Sequence, residues 1–431
     1  MADEEIVDYS PELNQNSAES ISENELTQKR DHLLQWMEVS VSEPEKRTGT
    51  SSVAMQDTYT VYLVETKVTD REMPGYGDPP SSLWRRYNEF ELLRTYLEVM
   101  YPATVVPPLP EKRVSHAWHK LPTDRFDPDF IERRRIGLEN FLLRVASHST
   151  LSKDKIFHGF LKQDDDWTKT VYSTDFQSKA DWKLKALSAS FRLKKPDRRF
   201  EEVKTYSNEL QTHINNILKI RTKLVERMYG IHKIHNNYGR VFSEWSAIEK
   251  EMADSLQTAG HYMDVYASSI DSLLEEEEQF ADQLKEYYGF GDSLRNVCRK
   301  QELLQLDLEK VEDDLASKTA YREQQVQGKT AGFSLSGMKT KLFGQDTPDQ
   351  RDQKIKQLDE QIKDAEEQLK TATTEAQDFV TLALRDIDRF KRQKAKDMKD
   401  IFTNYAIMQI DRCKKGIAVW QNARDVAFAK L

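Results

Sequence analysis

Proline divides this 431-residue chain into two unlike parts. Eleven of its thirteen prolines fall before residue 130, and only Pro196 and Pro348 follow. Proline fits the first turn of a helix, but in the interior it removes a hydrogen bond and costs about 3 kcal/mol. The proline-free stretches 197–347 and 349–431 are what long helices require, and each of the two late prolines sits where a helix could begin. A mixed front part and a long-helical back part are expected.

The back part carries the clearest periodicity. Val203, Leu210, Ile217, Leu224, Ile231, Tyr238, Trp245 and Met252 recur at every seventh position. A second series, Tyr206, Ile220, Ile234, Val241 and Ile248, runs beside it, interrupted by His213 and Arg227. Sustained heptads specify a helix packed along its whole length against others. Fifty residues of helix span about 75 Å, too long for a compact bundle. Further helical stretches are expected at about 268–327 and 349–428, the last with Ile355, Ile362 and Leu369 at the same spacing. Three long antiparallel helices follow.

The front part reads as a small sheet followed by helices. Thr58–Val64 is rich in β-branched and aromatic residues and predicts a strand, and the approach to Trp84 predicts another. Pro74-Gly75-Tyr76-Gly77-Asp78-Pro79-Pro80 between them is turn chemistry. Helical spacing takes over at Glu89–Tyr101 and at Phe130–Ala146, where Ile131, Leu138, Phe141, Leu142 and Val145 share a face.

Composition narrows the function. A formal charge of −9 argues against a general nucleic-acid binder. Cys298 and Cys413 are too far apart in sequence to imply a disulfide framework or a metal site. No apolar stretch approaches the roughly 18 residues of a membrane span, and residues 1–31 read as an acidic, disordered tail. The histidines show no metal spacing. Gly289-Phe290-Gly291 lacks the third glycine of a phosphate-cradling loop, and no nucleophile motif appears. The chain is expected to be no enzyme and to need no cofactor.

Trp84-Arg85-Arg86-Tyr87-Asn88-Glu89-Phe90 ends a strand and enters a helix with two arginines and an aromatic. Pro107-Pro108-Leu109-Pro110-Glu111-Lys112 is a stiff turn that delivers a lysine. Together they suit a small polyanion with a ring, for which a phosphorylated inositol headgroup is the best fit, since guanidinium forks bind phosphate and an aromatic face supports the ring. The proline run also fits a WW or SH3 ligand. This order of elements, with Arg133-Arg134-Arg135 opening the next helix, resembles phox-homology (PX) domains over about residues 32–165. With the helices behind it, the chain resembles the sorting nexins that join a PX domain to a BAR domain.

That resemblance implies an α+β PX domain (small antiparallel sheet plus helices) at 32–165 and an all-α BAR domain at 198–431, with three long antiparallel helices that dimerise. It also implies residue roles: Arg86 for the 3-phosphate, Tyr87 under the inositol ring, Asn88 at the next pocket position, Lys112 for the 1-phosphate and Arg134 for the ring hydroxyls. Phosphatidylinositol 3-phosphate is the implied ligand. Homodimers or heterodimers with related sorting nexins, and cargo sorting and tubulation on early and recycling endosomes from the cytoplasmic side, are the implied setting. Autophagy is a further implied context.

Between the domains, residues 166–197 read as an amphipathic linker helix, with Phe176, Ala180, Leu184, Leu187 and Phe191 as one apolar stripe among lysines. Such a helix either lies in a membrane interface or packs on a neighbouring domain. The run Arg385–Lys399, including Arg389, Lys391, Arg392 and Lys394, is either a surface for anionic lipid or a solvated face. The loop 328–344 either touches the membrane or tucks in. Glu275–Glu278 is expected to face solvent. A coiled-coil scaffold for proteins, with membrane targeting secondary, is the alternative function.

Overall fold

The computed structural model describes residues 32–50, 56–69, 81–112, 127–162, 166–180, 193–327 and 348–428. Three antiparallel strands open the front domain: β1 (Met37–Thr50), β2 (Gln56–Val68) and β3 (Ser81–Arg86), in the order β1-β2-β3. Strand β1 was not legible because Pro44 and a charged run interrupt its alternation. A bulge between Ser42 and Glu45, with Glu43 at φ 35°, absorbs the irregularity.

Helices α1 (Tyr87–Met100) and α2 (Pro128–Ala146) cover the sheet. Helix α2 starts with proline in its first turn and Asp127 as cap, its carboxylate accepting from Asp129 N and Phe130 N. Short helices α3 (Lys155–Lys162), α4 (Trp167–Ser173) and α5 (Phe176–Lys179) complete the domain. One core joins Val39, Val41, Tyr62, Val64, Phe90, Leu97, Leu138 and Phe141 to Phe160, Trp167, Val171 and Phe176.

That core corrects the expected linker. Trp167 donates to the Ile156 carbonyl at 3.0 Å and meets Phe160 edge-on at 5.0 Å. Phe176 is 3% exposed and packs against Tyr96. Phe176 is therefore no membrane contact, because its ring is a core side chain of the front domain. Leu184, Leu187 and Phe191 lie outside the described residues, as does the 328–344 loop.

The back domain is built from α6 (Arg198–Ser246), α7 (Ala253–Val326) and α8 (Pro348–Asn422), the last ending in a wider-wound turn at Ala423–Phe428. At 74 residues, α7 is about 110 Å long. Helices α6 and α7 run antiparallel through the short reversal at 247–252. The α7–α8 pair is also antiparallel, as its cross-helix contacts run from Arg322–Asp359 through Tyr287–Asp397 to Tyr266–Trp420.

Helix α6 carries two seams. Phe200, Val203, Ser207, Ile214, Arg221, Val225 and Met228 are buried. From Ile217 onward the heptad residues of the sequence pattern are open: Ile220 is 68%, Ile234 54% and Ile248 81% exposed. Phe402, Ile407, Ile410, Ile417 and Trp420 on α8 are exposed beside that same half of the domain, away from the α7–α8 connection.

Glu275–Glu278 faces solvent only in part, since Glu275 is exposed but the run turns inward after it. Glu277 is fully buried and Glu278 pairs with Arg221 at 2.8 Å. Burial pushes the Glu277 carboxyl up, against the opposing charge of Arg221.

Candidate functional site

The two adjacent arginines have opposite fates, because successive strand residues point to opposite faces. Arg85 turns inward. Its guanidinium donates to the Phe160 carbonyl at 3.1 and 2.8 Å, pairs with Glu89 at 3.0 Å, and stacks on Phe160 and Trp167. Arg86 turns outward at the end of β3, and α1 begins at the next residue. Glu89 accepts from the Arg86 backbone N–H at 2.8 Å and fixes that turn. The Arg86 guanidinium lies 3.5 Å over the Tyr59 ring. Asn88 is exposed in the first turn of α1.

Tyr87 is the centre of the site. Its hydroxyl donates to the Pro110 carbonyl at 2.6 Å, tying α1 to the proline loop. The Arg134 guanidinium lies 5.0 Å and the Lys112 ammonium 5.7 Å from its ring centroid. Burial first, and then the Glu91 carboxylate, push the Tyr87 phenol up to about 12. It stays a neutral donor at any physiological pH.

Arg134 is 9% exposed, with Nη2 donating to the Lys112 carbonyl at 2.6 Å and the guanidinium 4.3 Å over Phe130. Its Nε and the Tyr62 hydroxyl are buried without a hydrogen-bond partner. Burial pushes the Tyr62 phenol up, against the pull of neighbouring Arg134. Lys112 pairs with Glu91 at 2.7 Å, but both are well exposed, so the ammonium can exchange that weak pair for a phosphate.

Tyr87, Lys112 and Arg134 thus converge, with Arg86 beside them at the start of α1. Of the neighbours, Arg133 faces α7 instead, within 3.7 Å of Glu278 and 3.5 Å of Asp282. Arg135 is spent on Glu132, Glu139 and the Val41 carbonyl. Sequence reasoning missed Tyr59 and Tyr62. Both stand in the strand it predicted, but only the β2–β3 register, Val61 opposite Arg86 and Tyr62 opposite Arg85, places them at the site.

The expected lipid surface on α8 is altered in one place. Arg389 is held by Asp386 at 2.6 Å, and Asp386 also accepts from Val105 N at 2.7 Å and binds His148 at 2.9 Å. Arg389 thus borders the junction between the domains, with its side chain about a third exposed. Lys391 and Lys394 flank the Tyr206 ring at 5.6 and 5.5 Å, and Arg392 is exposed.

A three-stranded sheet covered by helices, carrying a cluster of basic and aromatic side chains where β3 meets α1, is joined to three long antiparallel helices. Residues 73–164 match the PX domain family. The chain is 56% identical over 398 residues to sorting nexin-4 of Mus musculus, covering 92% of this chain and 88% of that protein. Similarity extends to sorting nexin-4 of Saccharomyces cerevisiae, 25% identical over 401 residues, with 90% of this chain and 93% of that protein covered. The fold matches the solved structure of the SNX-BAR Mvp1 tetramer with a TM-score of 0.55 at 15% identity, covering 89% of this chain and 99% of that one. The chain belongs to the sorting nexin family, with a PX domain followed by a BAR-like helical domain.

Proposed function

We propose that this chain is a non-catalytic peripheral membrane protein that binds phosphatidylinositol 3-phosphate through its PX pocket and works as a BAR dimer on early and recycling endosomes. Its role there is cargo sorting and tubulation, with autophagy a further setting. The observation that carries this reading is the convergence of the Arg134 and Lys112 cations on the Tyr87 ring, at 5.0 and 5.7 Å, with Arg86 one residue away. In this reading Arg86 holds the 3-phosphate and Lys112 the 1-phosphate. Arg134 meets the ring hydroxyls through its guanidinium. Asn88 borders the pocket mouth.

Dimerisation follows from the open seam. Large apolar side chains in a row, each a third or more exposed, need a partner helix. The exposed residues of α6 and α8 lie in the same half of the domain, where His235 meets Trp420 at 6.1 Å, and in this reading one partner copy covers both. Lys391, Arg392 and Lys394 add contact with anionic lipid at about 1 kcal/mol each near the surface. Among the described residues, no helix is long and apolar enough to cross a membrane, which suits a protein held by headgroup and surface contacts.

Sedimentation with liposomes containing phosphatidylinositol 3-phosphate tests the pocket. Arg86→Ala is expected to lower binding at least tenfold, since a charge-assisted phosphate contact contributes about 1.5–3 kcal/mol. Wild-type binding by that variant would remove the pocket assignment.

A further inference from the structure

We propose that helix α7 is a working part of the headgroup site, with Gly289 and Ser293 acting as positioning residues for the proline loop that carries Lys112. This rests on the phosphoinositide reading above and extends the site from the front domain into the helical one.

Two glycines within one turn, Gly289 and Gly291, lie inside a 74-residue helix, where glycine is a poor choice without a packing reason. Each has one. A Cβ on Gly291 would come within 2.5 Å of the Gln211 side chain of α6, and one on Gly289 within 2.6 Å of Pro108 Cβ and 3.0 Å of its Cγ. A glutamine side chain can swing aside. A proline ring cannot, so Gly289 is a notch cut for the proline loop.

The rest of the loop is gripped from the same side. Ser293, 2% exposed and one turn beyond Gly289, donates to the Val106 carbonyl at 2.6 Å. Arg94 donates to the Pro107 carbonyl at 3.0 Å and reaches the Ser293 hydroxyl at 3.4 Å. Asp386 of α8 accepts from Val105 N, and the Val105 side chain is fully buried in the core of the helical domain. Val106, the next residue, belongs to the core of the front domain. The backbone from Val105 to Pro108 is thus fixed between two cores.

Only Leu109, Pro110 and Glu111 separate that clamp from Lys112. The Pro110 carbonyl accepts from Tyr87 and the Lys112 carbonyl from Arg134, both at 2.6 Å. Pro110 also sits against Gly137 of α2, where a Cβ would meet it at 2.6 Å. A shift of Pro108 at α7 therefore reaches the cation and the aromatic floor through a stiff, hydrogen-bonded path.

Calorimetric titration of the full chain with water-soluble dibutanoyl phosphatidylinositol 3-phosphate isolates this effect from dimer avidity. Gly289→Ala is expected to weaken binding roughly fivefold or more and Ser293→Ala roughly threefold, with each variant still showing a cooperative melting transition. Gly230→Ala is the control. It lies on α6 with nothing within 4 Å of an added Cβ, and it should bind as wild type. Wild-type affinity in either folded variant overturns the proposal, as does an equal loss in Gly230→Ala. If Gly289→Ala does not fold, Ser293→Ala decides alone. Arg86→Ala in the same titration separates the two readings: if it binds as wild type, the pocket reading itself falls, and this proposal with it.

Discussion

Arg85 and Arg86 are neighbours of one residue type whose roles are set by strand alternation. Arg85→Ala removes charge-assisted bonds to a buried carbonyl and should destabilise the front domain by about 3 kcal/mol. Arg86→Ala should leave stability within about 0.5 kcal/mol while losing the headgroup; chemical denaturation of the two variants checks the contrast. The pair was legible as an anion site, but which arginine does what depended on the strand ending at Arg86 and not one residue later. Tyr59 and Tyr62 were illegible as site residues because register is a tertiary property. His148 offers a pH prediction at the same scale. Its Nδ1 accepts from Thr150 N and Leu151 N, so the ring is neutral and donates from Nε2 to Asp386. Burial holds its pKa below the ordinary 6.5. The unfolded chain then binds the proton more readily. The stabilising contribution is full above about pH 6.5 and declines as pH falls below it toward the folded value. Asp386 adds to the same slope only at much lower pH, because bonds from His148 and Arg389 outweigh burial and hold its carboxyl below the usual range. The melting temperature should fall between pH 7.5 and 5.5, and His148→Gln should flatten that slope.

Among the elements, α6 is the most instructive. Its heptads were plain in the sequence, but within one chain only their first members, such as Val203 and Leu210, pack; beyond them the buried seam is the adjacent one through Ile214, Arg221, Val225 and Met228. Periodicity reports that a helix has an apolar face, not which molecule covers it. Ile220→Asp and Ile234→Asp should abolish the proposed dimer, read by light scattering, with little change in the stability of each monomer. Val225→Asp, at a fully buried position, should instead destabilise the domain by more than about 3 kcal/mol. The reversal at 247–252 was hidden because it contains neither glycine nor proline and the heptads run through it to Met252. Phe176 misled for the opposite reason. It fits an apolar stripe with residues up to Phe191, yet its helix ends at Lys179 and the ring turns into the front core.

On the scale of the whole molecule, the front domain docks through basic groups on acidic ones. Arg144 binds Glu286 and Asp397 and Arg133 faces Glu278 and Asp282, while the neutral His148 ring adds a hydrogen bond to Asp386. Of the three consecutive arginines that open α2, Arg133 faces α7, Arg134 lies over Tyr87, and Arg135 pairs within its own helix. A chain docked this way presents one pocket in a fixed direction, and a dimer presents two, so that membrane affinity should exceed single-headgroup affinity by about a hundredfold or more. The direct test of that claim is to measure Ile234→Asp twice, against soluble dibutanoyl phosphatidylinositol 3-phosphate and against liposomes carrying the same headgroup. Unchanged affinity for the soluble headgroup with at least tenfold weaker liposome binding is the expected result. Liposome binding equal to wild type by a variant shown to be monomeric would contradict it.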